Sequence, residues 1–64
     1  MMDLSYLKKD IFKALSEWDY AKSKATIYNI SKVCQCSESQ VYKILRDMRN
    51  LGLAHSIRGV WHLI

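Results

Sequence analysis

Thr26–Leu53, TIYNISKVCQCSESQVYKILRDMRNLGL, decides how the chain folds. Ile27, Ile30, Val33 and Cys34 recur at three- and four-residue spacing, the apolar face of a short helix over about 27–34. Thr26 stands before it, with a hydroxyl that can accept from a first-turn amide. Gln35-Cys36 follows as a tight turn. Ser37 then opens a longer helix, and Ser37 with Gln40 fits the S-x-x-Q capping box, in which each side chain satisfies a backbone amide near the other. Val41, Ile44, Leu45, Met48 and Leu51 make its buried stripe. Gly52 supplies a left-handed stop, so this helix is expected over Glu38–Leu51. The expectation at this point is two helices joined by a tight turn.

Beyond Leu53 the apolar period drops from 3.6 to 2. Ala54–Ile57 and Val60–Ile64 read as short strands joined by Arg58-Gly59, a two-residue hairpin turn. That register sets Ile57 opposite Val60, Ser56 opposite Trp61 and His55 opposite His62, with Ala54, Trp61 and Leu63 on the core face. Toward the N-terminus, Leu4, Leu7, Ile11, Ala14, Leu15 and Trp18 form one face of a helix over about 4–18. Asp3 is its expected N-cap, Lys8, Lys9, Lys13 and Glu17 lie on its wet side, and Tyr6 and Trp18 read as packing residues. Residues 19–24 lack apolar period and read as a loop, and Ala25 as a residual short strand. The expected fold class is mainly α with a small β-hairpin (α+β): three helices and a C-terminal hairpin in one domain over residues 1–64.

Bulk properties agree. The chain has 64 residues, no proline and two glycines, which leaves no linker or low-complexity segment. Half of it is hydrophobic, as in a packed globule. No apolar run approaches the roughly 18 residues of a bilayer span. The N-terminal residues lack the basic, apolar, small-residue order of a signal peptide, so a cytoplasmic location is expected. The formal charge of +4 is unevenly spread. Residues 1–19 carry Lys8, Lys9 and Lys13 against Asp3, Asp10, Glu17 and Asp19. Residues 20–64 carry seven basic residues against Glu38 and Asp47 alone, so their net charge is +5. A basic face on one part of a domain suits a polyanion, although it also serves solubility.

The paired helices have the outline of a helix-turn-helix, whose second helix can enter the major groove of DNA. With the hairpin added, the chain resembles the winged helix-turn-helix superfamily of small DNA-binding regulators. Those proteins show a pattern like L-A-x-x-L-G-[apolar]-S-x-x-x-V-x-x-x-[apolar]-x-x-L-x-x-x-G-L. Ile30, Ser31, Cys34, Gln35, Cys36 and Ser37 match its first half, and Val41, Leu45, Met48 and Gly52-Leu53 its second. Gly59-Val60-Trp61-His62-Leu63 is similar to the family's wing ending, G-x-W-x-L. The resemblance spans roughly residues 4–64 and implies double-stranded DNA as partner and transcription regulation as function. The family's turn glycine is replaced by Gln35, which requires either a left-handed conformation or a different turn.

In such an arrangement the first turns of the second helix face base edges. Ser39, Tyr42, Lys43 and Arg46 fall nearest one outward face. Lys43 and Arg46 can donate to guanine, Gln40 can read adenine, and Tyr42 can meet sugar or phosphate. Ser37 caps the same helix end, Arg49 lies toward the backbone, and Glu38 and Asp47 would repel phosphates or accept from cytosine. Arg58, at the hairpin tip, suits a phosphate or an adjacent minor groove. Lys22, Lys24 and Lys32 would flank the groove, and Thr26 sits at a helix N-terminus that favours anions. The plain alternative for each is a solvated residue on an amphipathic surface.

Cys34-x-Cys36 with His55 and His62 has zinc-binding residue types. The spacing is not the usual C-x₂-C, and both cysteines stand at apolar positions, so they read as buried packing with no metal. A disulfide between residues two apart would be strained. There is no glycine-rich phosphate loop, no paired acids on one helix face and no nucleophile with a placed base, so no enzyme, cofactor or small-molecule substrate is expected. The leading expectation is sequence-directed DNA binding by the helix at 38–51, with the wing at 54–64 on the backbone or minor groove. The other is a winged-helix module that binds protein through exposed Tyr6, Phe12, Tyr20 or Tyr28. A homodimer remains open in either case.

Overall fold

Five elements follow in chain order: α1 (Ser5–Ser16), α2 (Ile27–Cys34), α3 (Glu38–Asn50), β1 (Ala54–Ile57) and β2 (Val60–Leu63). The computed structural model describes residues 5–64. The expected N-cap at Asp3 and the packing of Leu4 lie outside that range. The coarse class is as expected: three helices plus one two-stranded antiparallel sheet.

The core is assembled from every element. Leu7, Ile11 and Leu15 of α1 meet Ile30 of α2 and Val41, Ile44, Leu45 and Met48 of α3, and Ala25, Ala54 and Trp61 close it. Each large side chain fully buried here contributes about 1.5–3 kcal/mol of transfer free energy. Trp18, Ile27, Cys34, Cys36, Val60 and Leu63 pack on it from the rim. Both cysteines therefore act as packing at the α2–α3 junction.

The first helix is shorter than its apolar period suggests. It ends at Ser16 rather than at Trp18. The Ser16 hydroxyl donates to the Lys13 carbonyl at 2.8 Å, and the Asp19 carboxylate accepts from the Ala21 amide at 3.1 Å. Such local side-chain bonds compete with helix continuation. Trp18 is thus a loop residue, held by its indole N–H donating to the Ser23 carbonyl at 3.0 Å. Tyr6, expected to pack, is exposed.

The second and third helices are stopped by the same device. At the end of α2 the Cys36 amide donates to the Ser31 carbonyl (3.1 Å) and the Gln35 amide to the Lys32 carbonyl (3.4 Å). At the end of α3 Leu53 donates to Met48 (2.8 Å) and Gly52 to Arg49 (3.0 Å). Both are Schellman turns, which need one left-handed residue. Gly52 supplies it at φ 75°, and Gln35 does so at φ 55°, ψ 48°. Of the two outcomes open to a residue with a Cβ at this position, Gln35 takes the left-handed one.

Two apolar residues are not where the periodicity puts them. Leu51 falls just past the end of α3 and is 63% exposed, and Val33 is 62% exposed on the flank of α2. In a helix of eight residues only Ile30 and Ser31 are buried, and the Ser31 hydroxyl is satisfied by donating to the Tyr28 carbonyl at 2.6 Å.

The hairpin has the expected register, Ala54 with Leu63 through Ile57 with Val60. Arg58 and Gly59 both have positive φ, 52° and 79°, as a type I′ turn demands. The second strand stops at Leu63, one residue short of expectation. Ala25 is not a strand residue, but its carbonyl accepts the Trp61 amide at 2.8 Å, which docks the 19–26 segment on the outer edge of β2.

Candidate nucleic-acid interface

Helix α3 is defined at both ends before any ligand is considered. The Ser37 hydroxyl accepts from the Gln40 amide and the Gln40 side-chain oxygen accepts from the Ser37 amide, each at 3.1 Å. Ser37 and the Gln40 oxygen are thus committed to the cap, which leaves the Gln40 amide group as its free donor. With Val41, Ile44, Leu45 and Met48 buried, a 3.6-residue turn puts Ser39, Lys43, Arg46 and Asn50 on the opposite side. All four are exposed. Tyr42 and Arg49 lie on one flank. Asn50, overlooked in the sequence because it closes the helix, extends the polar face by one turn. Among the described residues the one ion pair is Arg46 Nε with Asp47 Oδ1 at 4.0 Å, between half-exposed side chains. A pair of that kind is worth little and does not immobilise the guanidinium.

The flank of α3 turns toward the hairpin. Strand β1 packs beside α3, and the Arg49 guanidinium stands 5.9 Å over the Trp61 ring. Arg49 therefore joins the helix to the hairpin by a cation–π contact, in addition to being an exposed charge. Arg58 projects at the hairpin tip, fully separate from the α3 set in the chain and held in a left-handed conformation.

A second group surrounds α2. The Thr26 hydroxyl accepts from the Asn29 amide at 3.2 Å, which leaves its proton free for an anion. The Lys24 carbonyl accepts from the Asn29 side chain at 2.8 Å, and its ammonium is exposed. The Lys32 ammonium lies 4.8 Å from the centre of the exposed Tyr28 ring. A shallow hollow lined by Tyr28, Lys32, Gln35, Ser37 and Glu38 connects α2 to the start of α3. Lys22 is exposed in the loop before α2. The structure thus gathers Ser39, Tyr42, Lys43, Arg46 and Arg49 on one helix. Lys32 and Ser37 lie near its N-terminal end, Thr26 caps the opposite end of α2, and Arg58 stands alone on the hairpin.

Tyr20 carries a role that no local pattern announces. Its hydroxyl donates to the Trp61 carbonyl at 2.6 Å, and its ring stacks on His62 at 4.7 Å with 14° between planes. Burial pushes its phenol above the ordinary tyrosine value. The partners are 41 residues apart in sequence, so only the folded chain reveals the contact. Burial also raises the Cys34 thiol, helped by the neighbouring Cys36 and Asp10, and raises the Cys36 thiol, helped by Asp10. Both cysteines are free. No group of three or more His, Cys, Asp or Glu among the described residues is placed to share a metal ion, so the cysteine pair and the histidine pair do not form one site.

Comparison with family models, curated proteins and solved structures finds no match to this chain. Among the described residues no helix is long and apolar enough to cross a membrane.

Proposed function

We propose that the chain is a winged helix-turn-helix protein that binds double-stranded DNA in a sequence-directed way and acts as a small transcriptional regulator. Helix α3 lies in the major groove and the β1–β2 wing rests on the backbone or minor groove. The observation that carries this reading is the outward face of α3. Ser39, Lys43, Arg46 and Asn50 stand clear of the core on a helix fixed by a capping box and a glycine stop. Lys43 and Arg46 offer donors suited to guanine, and Tyr42 and Arg49 meet the adjoining backbone. Lys24, Thr26 and Lys32 supply phosphate contacts, and cytoplasmic action fits the free cysteines.

A mobility-shift titration with random duplex DNA across a salt series tests it. Several phosphate contacts make affinity fall steeply, with a log–log slope of about −0.9 per contact. Absence of binding at low salt removes the proposal.

A second reading, a module that binds protein without DNA, draws on one observation. Val33 and Phe12 are exposed large apolar residues on α2 and α1, and Val33 lines a groove with Ala14 and Glu17. The same salt series separates the two, because this surface does not require a duplex.

A further inference from the structure

We propose that His55 and His62 form a two-imidazole site for a borderline divalent transition metal that cross-links the strands of the hairpin. The proposal does not rest on DNA binding. The two histidines are direct partners in the antiparallel ladder. The two-residue turn makes Ile57 and Val60 a hydrogen-bonded pair, and alternation makes His55 and His62 the next one. The Trp61 amide, which points away from β1 to the Ala25 carbonyl, fits that alternation. Directly paired residues project from the same side of a sheet, so both imidazoles stand on the face opposite Trp61.

Their ring centres are 5.8 Å apart with 57° between planes. Metal–imidazole bonds of about 2.0–2.1 Å put an ion roughly 3.2 Å from each ring centre, so two rings on one ion have centres about 4.5 Å apart at a right angle and 6.4 Å when linear. The observed separation lies inside that window without any backbone change. His55 is exposed and can turn, while His62 is half-buried and held by the Tyr20 stack. That stack covers a ring face and leaves the ring-edge nitrogens uncovered by it. The Tyr20 hydroxyl is occupied by the Trp61 carbonyl, so the protein offers two nitrogen ligands and water completes the shell. A pure imidazole pair suits Ni²⁺, Cu²⁺ or Zn²⁺ and gives no purchase to Mg²⁺ or Ca²⁺, which take oxygen ligands.

The test is a Ni²⁺ titration of the whole chain, read by thermal unfolding and by paramagnetic broadening of assigned NMR signals. At ten times half-saturation Ni²⁺ raises the unfolding midpoint by about 5 °C or more, and Mg²⁺ does not. Broadening centres on His55, His62 and Tyr20. His55→Ala lowers Ni²⁺ affinity by about tenfold or more, because one of two ligands is gone. His55 is exposed, so this variant folds, and unchanged Ni²⁺ affinity in it overturns the proposal. Broadening centred on Cys34 and Cys36, or anywhere else outside the hairpin, overturns it equally.

Discussion

The Tyr20 hydroxyl donates to the Trp61 carbonyl at 2.6 Å, while the Trp61 amide donates to the Ala25 carbonyl at 2.8 Å. One residue of the hairpin is thereby held at both of its backbone groups by the segment that precedes α2. The hairpin itself is a two-stranded sheet, which is marginal in isolation. Its position relative to α3 depends on these two bonds, on burial of the Trp61 ring and on the Arg49 contact above it.

Tyr20→Phe keeps the stack on His62 and removes only the hydroxyl. It is expected to cost about 1 kcal/mol, the usual net value of one hydrogen bond. Tyr20→Leu also loses the aromatic pair and is expected to cost about another 0.5–1 kcal/mol. Urea unfolding of the two variants measures both steps. Equal stability of Tyr20→Phe and the parent would show that the bond contributes nothing to the fold.

The left-handed residues give a paired prediction. A residue with a Cβ pays roughly 1–2 kcal/mol to enter that region, whereas glycine does not. Gln35→Gly is therefore expected to stabilise the chain by a few tenths to about 1 kcal/mol, after subtracting glycine's extra freedom when unfolded. Gly52→Ala is expected to destabilise by about 1 kcal/mol. No atom lies within 4 Å of the added methyl, so the loss comes from backbone strain alone. Calorimetric midpoints of the two variants should move in opposite directions.

What the sequence makes legible here follows from range. Thr26, Ser37 with Gln40, and Gly52 act on amides within five residues, so their roles are written locally. The hairpin register follows from a two-residue turn and period-2 burial. The polar face of α3 follows from the complementary stripe. The Tyr20–Trp61 bond and the Arg49–Trp61 contact join residues far apart in the chain and leave no periodic trace. Trp18 packs on the core as its apolar spacing implies, but it does so from a loop, because Ser16 and Asp19 make side-chain bonds at the end of α1 that apolar spacing cannot register. Leu51 and Val33 keep the apolar period but sit where a helix end or flank runs out of neighbours.

Thiol chemistry is expected to follow from burial. With Cys34 and Cys36 both raised by desolvation first, the folded chain holds these protons more tightly than the unfolded one. Stability from this source is fully present below the ordinary cysteine range, near pH 8.5, and is lost as pH rises through the raised folded values. Unfolding free energies at pH 7 and pH 9.5 check the sign. In Cys34→Ala/Cys36→Ala the alkaline decline is expected to be shallower. Alkylation by iodoacetamide at pH 7 is expected to be slower than for a free cysteine peptide.

Arg58 separates fold from function most directly. It sits at φ 52° in a turn position where asparagine or glycine is better suited, so its side chain is not there for the turn. Arg58→Asn is expected to stabilise the hairpin by a few tenths of a kcal/mol, in line with asparagine's tolerance of left-handed backbone. If the wing touches DNA, the same variant binds duplex several-fold more weakly, and loss of one phosphate contact flattens its log–log salt slope by about 0.9. Arg46→Ala on α3 is expected instead to change which sequence is preferred, at about 1–3 kcal/mol of discrimination for a bidentate base contact. Lys24→Ala is expected to weaken all sequences alike. Mobility shifts on one random and one selected duplex read all three. An Arg58→Asn protein that gains stability and keeps its full affinity and salt slope would take the hairpin out of the interface and leave α3 to bind alone.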